Sequence, residues 1–110
     1  MVINKLSLNY RMSSTKDNYY MWYDDDELVA MFRLADLESD KWICSVFISP
    51  KYRKKGLSYD LLHIATSLGG EKLAVNKNNK IAIHTYQKFG FKIFDENKEF
   101  YYLRIEEDEE

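Results

Sequence analysis

The most constraining feature of the sequence is a basic, glycine-containing loop that lies between an apolar run and a helix-patterned segment. The apolar run covers residues 42–49, and after the loop the apolar residues fall on one broad helical face. The loop itself consists of Arg53, Lys54, Lys55, Gly56, Leu57 and Ser58. Backbone N–H groups at the start of a helix are unpaired and partly positive, so this order of elements suits a phosphate group. On its own, the loop is equally typical of a solvated turn.

Composition indicates one small domain. The 110 residues are 45% hydrophobic and 15% aromatic, which is enough for a single core. We assign residues 1–105 to this domain and the acidic residues 106–110 to a solvated tail. The formal net charge of −2 argues against a broad cationic surface for nucleic acid, so a small polyanion better explains the local basic cluster.

The cysteine content and the hydropathy pattern favour a cytoplasmic protein. The single cysteine, Cys44, lies inside an apolar strand pattern, which leaves no disulfide framework and no zinc-binding spacing, and we expect no metal site. The N-terminus lacks the apolar run of a signal peptide, and no stretch approaches the roughly 18 apolar residues of a membrane span, so we expect no membrane partner. The nine tyrosines are compatible with a homodimer and equally with core and edge packing.

The order of strand-like and helix-like segments predicts a mixed α/β fold. Strands are predicted at residues 5–10, 19–23, 28–37, 42–49, 72–75, 91–94 and 100–105, and helices at residues 57–68 and 78–89. Residues 13–18 are typical of a loop, and the acidic residues 24–27 favour a hairpin turn over a metal site. Glycines at 69, 70 and 90 are expected to end the two helices. The pattern indicates a single-domain, mostly antiparallel sheet with helices as crossovers.

Two motifs in these segments resemble signatures of the GNAT acetyltransferase superfamily. The first is a strand, a proline and then Q/R-x-x-G-x-G/A opening a helix; residues 46–50 read VFISP and residues 53–58 read RKKGLS, with Ser58 in the last small position. The second, N-x-x-A-x-x-x-Y-x-K-x-G-F, is formed by Asn79, Ala82, Tyr86, Lys88, Gly90 and Phe91. The resemblance covers residues 19–105 and implies a GNAT-like acyl-CoA N-acyltransferase fold with a shortened N-terminal region.

The resemblance implies acetyl-CoA as the co-substrate. Backbone groups of Val46, Phe47 and Ile48 would pair with the pantetheine arm as if it were an added strand, which requires the strand to splay from its neighbour. The amides of residues 54–59 would hold the pyrophosphate. The implied cofactor-binding residues are Val46, Phe47, Ile48, Arg53, Lys54, Lys55, Gly56, Leu57, Ser58, Tyr59 and Asn79.

The second motif implies one catalytic residue, Tyr86. Asn79, Ala82 and Tyr86 lie at i, i+3 and i+7, which places them on one stripe of a helix. Without the motif, Tyr86 would be interpreted as an aromatic residue on a buried helix face. In the family, the tyrosine at this place is the general acid that protonates the departing CoA thiolate, and the asparagine contacts the cofactor.

The sequence does not identify a general base. Direct transfer needs a neutral amine, and at pH 7 only about 0.04% of a lysine amine with a pKa of about 10.4 is neutral. Many GNAT relatives place a glutamate at the positions occupied here by Trp42 or Ala74. Asp36, Glu38 and His84 are candidate replacements, although each is also typical of an ordinary surface residue. A water chain or an acceptor of lower pKa would serve as well.

The shortened N-terminal region is expected to leave the acceptor side open. GNAT relatives usually carry two helices between their first two strands, whereas only a short polar segment precedes residue 19 here. An open side suits a protein or peptide amine better than an enclosed small molecule. The sequence therefore predicts an acetyl-CoA-dependent N-acetyltransferase for a primary amine. The alternatives are a degenerate GNAT fold that binds CoA or a protein without catalysis, and a phosphate-binding module that uses only the basic loop.

Overall fold

Residues 4–106, which the computed structural model describes, form a seven-stranded sheet and three helices. The strands are β1 (Arg11–Ser14), β2 (Tyr19–Asp24), β3 (Glu27–Leu37), β4 (Asp40–Ile48), β5 (Lys72–Asn76), β6 (Phe91–Glu96) and β7 (Phe100–Ile105). The helices are α1 (Lys5–Asn9), α2 (Leu57–Ser67) and α3 (Lys80–Phe89), and a 3₁₀ turn, Pro50–Tyr52, follows β4. Residues 1–3, and residues 107–110 of the predicted tail, lie outside the described part.

The sheet is mixed and mostly antiparallel, as the sequence predicted. Its strand order is β1-β2-β3-β4-β5-β7-β6, and β4 and β5 are the parallel neighbours while the other neighbouring pairs are antiparallel. Parallel neighbours need a crossover, and α2 supplies it. The acidic turn between β2 and β3 is a hairpin turn, which confirms that prediction.

The helices pack against one face of the sheet. The Asn4 side-chain amide donates to the Asp60 carbonyl at 2.9 Å and joins α1 to α2, and the rings of Tyr59 and Phe89 join α2 to α3 with centroids 5.9 Å apart. Between the helices and the sheet lies the core, which includes Trp22, Phe32, Leu61, Ile64, Phe91 and Leu103. Alternate side chains of each strand point to the opposite face, where no helix lies within residues 4–106.

The prediction of a strand at residues 5–10 is wrong, because these residues form α1. Strand alternation would place Leu6 and Leu8 on one face, but Leu6 is fully buried and Leu8 is 72% exposed. The Asn4 side chain caps the helix by accepting from the Ser7 amide at 3.3 Å, and the Asp60 carboxylate accepts from the Leu6 amide at 3.2 Å. A partner 54 residues away in sequence therefore helps to decide the local structure.

Part of the predicted loop at residues 13–18 is also a strand. Ser13 and Ser14 belong to β1, which pairs with β2 at the edge of the sheet. Serine has no strong strand preference of its own, so this pairing depends on the neighbouring strand. The other predicted strands and both predicted helices are confirmed, with ends that differ by a few residues at most.

Candidate functional site

β4 and β5 diverge and leave a wedge between them. They pair at one position, Trp42 with Lys72, and then separate. The resulting cavity of about 410 Å³ is lined by residues 42–46 of β4, residues 73–76 of β5, and Asn79 and Tyr86. Residues of both sequence motifs thus meet in one cavity, although they are far apart in the chain.

A β-bulge turns β4 away from β5. Ser45 has a φ of +54°, a left-handed conformation that is uncommon for residues other than glycine. The pairing with β3 shifts here, so that Ser45 and Val46 both stand opposite Phe32. Because a bulge bends a strand and strengthens its twist, this irregularity provides the splay that strand addition would require.

Beyond the bulge, the main chain of β4 directs hydrogen-bonding groups into the wedge. The Ser49 amide donates to the Val29 carbonyl at 2.8 Å, so Ala30 and Ile48 form a non-hydrogen-bonded pair. The N–H and C=O of Ile48 therefore face away from β3 and towards the wedge. Alternation along the strand gives Val46 the same direction.

Phe47 has the opposite orientation. Its main chain faces β3, where it pairs with Met31, and its side chain lies on the helix-free face of the sheet with 39% of its surface exposed. Met31 in turn pairs with Met21 of β2. The three side chains form an apolar row across the helix-free face, next to the wedge.

The basic loop presents main-chain amides at the start of α2. Lys54 and Gly56 have left-handed φ values of +65° and +75°, and Gly56 caps the helix without any side-chain hydrogen bond. A Cβ atom built on Gly56 would meet no atom within 4 Å, so the space beside this residue is open. The first amides of a helix have no partner within the helix and favour an anion.

Leu57, Ser58 and Tyr59 form the first turn of α2, and two of these side chains pack inward. Leu57 is 4% exposed, and the Tyr59 ring contacts Phe89 of α3. The Tyr59 hydroxyl is buried without a hydrogen-bond partner. These residues can therefore contribute main-chain amides to a ligand while their side chains hold the helix in place.

Two side chains fasten the loop to its surroundings. The Arg53 Nε donates to the Ile48 carbonyl at 3.0 Å, and the Tyr52 hydroxyl donates to Asp24 Oδ2 at 2.8 Å. The hydrogen bond to Asp24, together with burial, raises the pKa of Tyr52 to about 12. Since a raised pKa in the folded state favours the protonated phenol, this contribution to stability is complete below pH 10.0 and is lost as the pH rises towards 12.

Asn79 and Tyr86 lie on the stripe of α3 that the sequence predicted, and both line the wedge. The Asn79 side chain also caps α3, because its Oδ1 accepts from the Ala82 amide at 3.2 Å. Burial raises the pKa of the half-buried Tyr86 above its ordinary value. A phenol that holds its proton more tightly remains a proton donor over a wider pH range.

The three candidate bases do not line the wedge. Asp36 pairs with Lys41 at 3.8 Å near the β3–β4 turn, and Glu38 lies in that turn with a φ of +50°. His84 is exposed on α3. None of the three is among the residues that line the wedge beside Tyr86.

The structure adds an aromatic pair that sequence reasoning missed. Trp42 and Tyr102 meet edge to face with centroids 6.1 Å apart, and the Asn97 amide donates to the Tyr102 hydroxyl at 2.9 Å. Tyr102 lies beside Ala74 in the ladder between β5 and β7. The sequence gives no signal for this contact, since it depends on the order of strands in the sheet.

A larger hollow of about 780 Å³ lies at the other end of β5 and is less suited to chemistry. Its lining includes Asp40, Glu71, Lys72 and Arg104. The carboxylate of Asp40 and the ammonium of Lys72 already pair at 2.6 Å, and Glu71 accepts from a main-chain amide. The hollow contains no residue of either sequence motif, whereas the wedge contains residues of both, so the wedge is the better candidate.

No three His, Cys, Asp or Glu side chains in residues 4–106 come close enough to hold a metal ion. None of the helices in this range has the length and apolarity needed to cross a membrane.

Comparison with known proteins gives a family match and several relatives. The model of the Acetyltransferase (GNAT) family matches residues 4–91. The chain is 24% identical over 96 residues to acetyltransferase PseH of Campylobacter jejuni, covering 81% of this chain and 60% of that protein. It is 33% identical over 75 residues to N-alpha-acetyltransferase 20 of Dictyostelium discoideum, covering 58% of this chain and 43% of that protein. The chain thus spans less than two thirds of either relative.

A solved structure shares the fold. Arabidopsis thaliana Naa50 in complex with the bisubstrate analogue CoA-Ac-MVNAL superposes with a TM-score of 0.66 and 26% identity. The match covers 82% of this chain and 73% of that one.

Proposed function

Because the chain belongs to the GNAT acetyltransferase family, we propose that it moves the acetyl group of acetyl-CoA directly to a primary amine on a protein or peptide. The observation that carries the proposal is the wedge between β4 and β5. It brings together the diverging edge of β4 and the side chain of Tyr86, and the chain continues from the end of β4 through the basic loop into α2. Each of these supplies one requirement of the transfer reaction.

The strand edge would bind the pantetheine arm. Val46 and Ile48 direct their main-chain groups into the wedge, so an extended amide-containing chain could add to β4 there. We assign this role to these two residues and not to Phe47, whose main chain pairs with β3. Arg53 would stabilise the end of the strand, since it already bonds to the Ile48 carbonyl.

The loop and the first turn of α2 would bind the pyrophosphate. The amides of residues 54–59 would serve as the donors, and Gly56 leaves the approach to them clear, because a Cβ atom built there would meet no atom within 4 Å. Lys54 and Lys55 add positive charge beside those amides. The residues present therefore fit a diphosphate, and Leu57, Ser58 and Tyr59 contribute through the main chain.

Tyr86 would supply the proton for the leaving group. The amine nitrogen attacks the thioester carbonyl, a C–N bond forms, the C–S bond breaks, and the electron pair of that bond goes to sulfur. The attacking nitrogen, which is cationic once the C–N bond has formed, loses a proton to solvent. The Tyr86 hydroxyl donates its proton to the thiolate, and the phenolate then takes a proton back from solvent. General acid catalysis of this kind contributes about 100- to 10,000-fold to a rate.

The helix-free face of the sheet favours an extended peptide as the acceptor. Phe47, which is exposed, and the partly buried Met31 and Met21 form an apolar row beside the wedge, and the ring pair of Trp42 and Tyr102 stands on its other side. A surface of this kind suits a chain laid across it more than an enclosed metabolite. One relative is an N-alpha-acetyltransferase, and Naa50 is bound to an analogue that joins CoA to a peptide.

The chemistry of the wedge favours an α-amino group over a lysine side chain. Trp42 and Ala74 line the wedge where many relatives carry a glutamate. An α-amine with a pKa of about 7.7 to 8.0 is roughly a tenth neutral at pH 7, whereas a lysine amine is only about 0.04% neutral. An acceptor that loses its own proton readily has less need of a protein base.

The same two residues keep a second function open, namely a GNAT fold that binds CoA without catalysis. Trp42 and Ala74 provide no group that could accept a proton. The two functions differ in turnover, because both require donor binding and only the first releases CoA when a peptide amine is present.

Calorimetric titration with acetyl-CoA and with CoA tests the donor site. The wild type should bind both, and Gly56→Glu should lose binding because a carboxylate enters the space of the pyrophosphate. Gly56→Gln is the matched control, since it carries the same backbone strain and nearly the same volume without the charge. Equal binding by Gly56→Glu and Gly56→Gln would contradict a diphosphate at this loop, and no binding by the wild type would overturn the proposed function.

A further inference from the structure

We propose that Asp24, the last residue of β2, is a positioning residue that acts through Tyr52 to hold the diphosphate-binding loop in its binding conformation. This inference rests on the proposed function. Asp24 would touch neither the donor nor the acceptor. Its effect would be confined to the part of the donor that the loop contacts.

Tyr52 is fixed on several sides. Its side chain is 4% exposed, its hydroxyl donates to Asp24 Oδ2 at 2.8 Å, and the Tyr10 ring meets it edge to face with centroids 5.7 Å apart. The residue lies in the 3₁₀ turn that opens the loop. The entry to the loop is therefore anchored to another part of the sheet and cannot move independently.

Two lysines, one in the 3₁₀ turn and one in the loop, lie beside the same ring. The ammonium groups of Lys51 and Lys55 lie 5.6 and 5.5 Å from the centroid of the Tyr52 ring. Lys51 also pairs with Glu27 of the acidic turn at 3.2 Å, although this exposed pair contributes little by itself. If the Tyr52 ring moved, the contact between the ring and the Lys55 ammonium, which belongs to the loop, would change as well.

The conformation of the loop explains why an anchor is needed. Between Tyr52 and α2, both Lys54 and Gly56 adopt left-handed φ values, and a lysine in this region is unfavourable. A free loop would populate other conformations and would pay for ordering when the diphosphate binds. Fixing the loop at Tyr52 reduces that cost before binding, so loss of the anchor should weaken donor binding without changing the chemical step.

Three variants separate this role from a general effect on folding. Tyr52→Phe removes the hydroxyl and keeps the ring, Asp24→Ala removes the acceptor, and Asp24→Asn keeps an oxygen that can accept the same hydrogen bond. The matched control is Tyr23→Phe, which removes a hydroxyl that contacts Met21 Sδ at 3.5 Å and lies outside the loop.

The measurements are KM for acetyl-CoA, kcat, and the Kd of CoA by calorimetry. Tyr52→Phe and Asp24→Ala should raise KM and Kd about 3- to 10-fold with kcat within about 2-fold of the wild type, because one supporting hydrogen bond is lost. Asp24→Asn and Tyr23→Phe should stay close to the wild type. With S-acetylpantetheine, which lacks the diphosphate, the variants and the wild type should give the same KM.

Each contrary result has a distinct meaning. An unchanged CoA affinity in Tyr52→Phe would overturn this inference and leave the donor site intact. An equal loss with S-acetylpantetheine would also overturn it, because the defect would then lie outside the loop. If the wild type bound no CoA, the proposed function itself would fail, and the role of Asp24 would fail with it.

Discussion

At the scale of single residues, the environment of Tyr86 decides what its hydroxyl can do. The ring is half-buried on α3, it contacts Phe91 edge to face at 6.2 Å, and it lines the wedge. Burial raises its pKa above 10.0, so the phenol keeps its proton at neutral pH. Sequence spacing alone assigns Tyr86 to a helix stripe, whereas the proton affinity follows from packing.

Replacing Tyr86 by phenylalanine should lower kcat while CoA binding stays nearly unchanged. We expect a fall of about 100-fold in kcat, because the thiolate would leave without a positioned proton donor. Steady-state release of CoA measures kcat, and calorimetry measures the affinity for CoA. Tyr20→Phe, which removes a hydroxyl from a ring stacked on Phe32, is the control.

The pH dependence of kcat in the wild type provides a second test of the role of Tyr86. Tyr86 acts only when protonated and burial raises its pKa, so its contribution to kcat should persist past pH 10.0 and be lost as the pH rises through the raised pKa. Alkaline absorbance titration of the wild type against Tyr86→Phe would locate the ionisation. Full activity in Tyr86→Phe would remove this residue from its assigned role.

At the scale of secondary structure elements, the residue at the start of α3 has two roles. Asn79 caps α3 with its side-chain oxygen and also lines the wedge. The motif predicted a cofactor contact, and the cap explains part of why asparagine suits this position. Stability and donor binding at Asn79 should therefore be separable by substitution.

Replacing Asn79 by alanine should destabilise the protein by about 1 kcal/mol, because the Ala82 amide loses its partner. Asn79→Asp should retain most of the stability and bind acetyl-CoA more weakly, since it keeps the accepting oxygen but brings a negative charge to the wedge. Urea unfolding measures the first effect and calorimetry the second. Asn78→Ala is the matched control, and a loss of stability as large as that in Asn79→Ala would contradict the capping role.

At the scale of the whole molecule, the site exists because the sheet is incomplete between β4 and β5. These strands pair at one position, and the bulge at Ser45 carries β4 away from its neighbour. Beyond their one paired position, β4 and β5 have no main-chain pairing with each other, and the proposed binding of an extended ligand depends on this gap. Its position also places the helices on one side of the ligand and the helix-free face on the other.

Amide hydrogen exchange should reveal this incomplete pairing. The amides of Val46 and Ile48 face the wedge, so they should exchange faster than the amide of Phe47, which faces β3. Addition of CoA should slow exchange at Val46 and Ile48 and leave Phe47 unchanged. The amide of Leu73, in the ladder between β5 and β7, serves as a reference. Equal protection of all three β4 amides without CoA would contradict the orientation described for this strand.

The sequence by itself determined the order of most strands, both long helices, the family resemblance and the residues of the two motifs. These features depend on local periodicity and on residue types at fixed spacing, which the chain carries directly. The segment at residues 5–10 was misjudged because its helix depends on Asp60, a partner distant in sequence. Only the tertiary structure decided that Val46 and Ile48, and not Phe47, face the wedge, that Trp42 meets Tyr102, and that Asp24 holds Tyr52. Each of these depends on strand register or on contacts between distant segments, because a shift of one residue in register reverses the direction of every side chain and main-chain group.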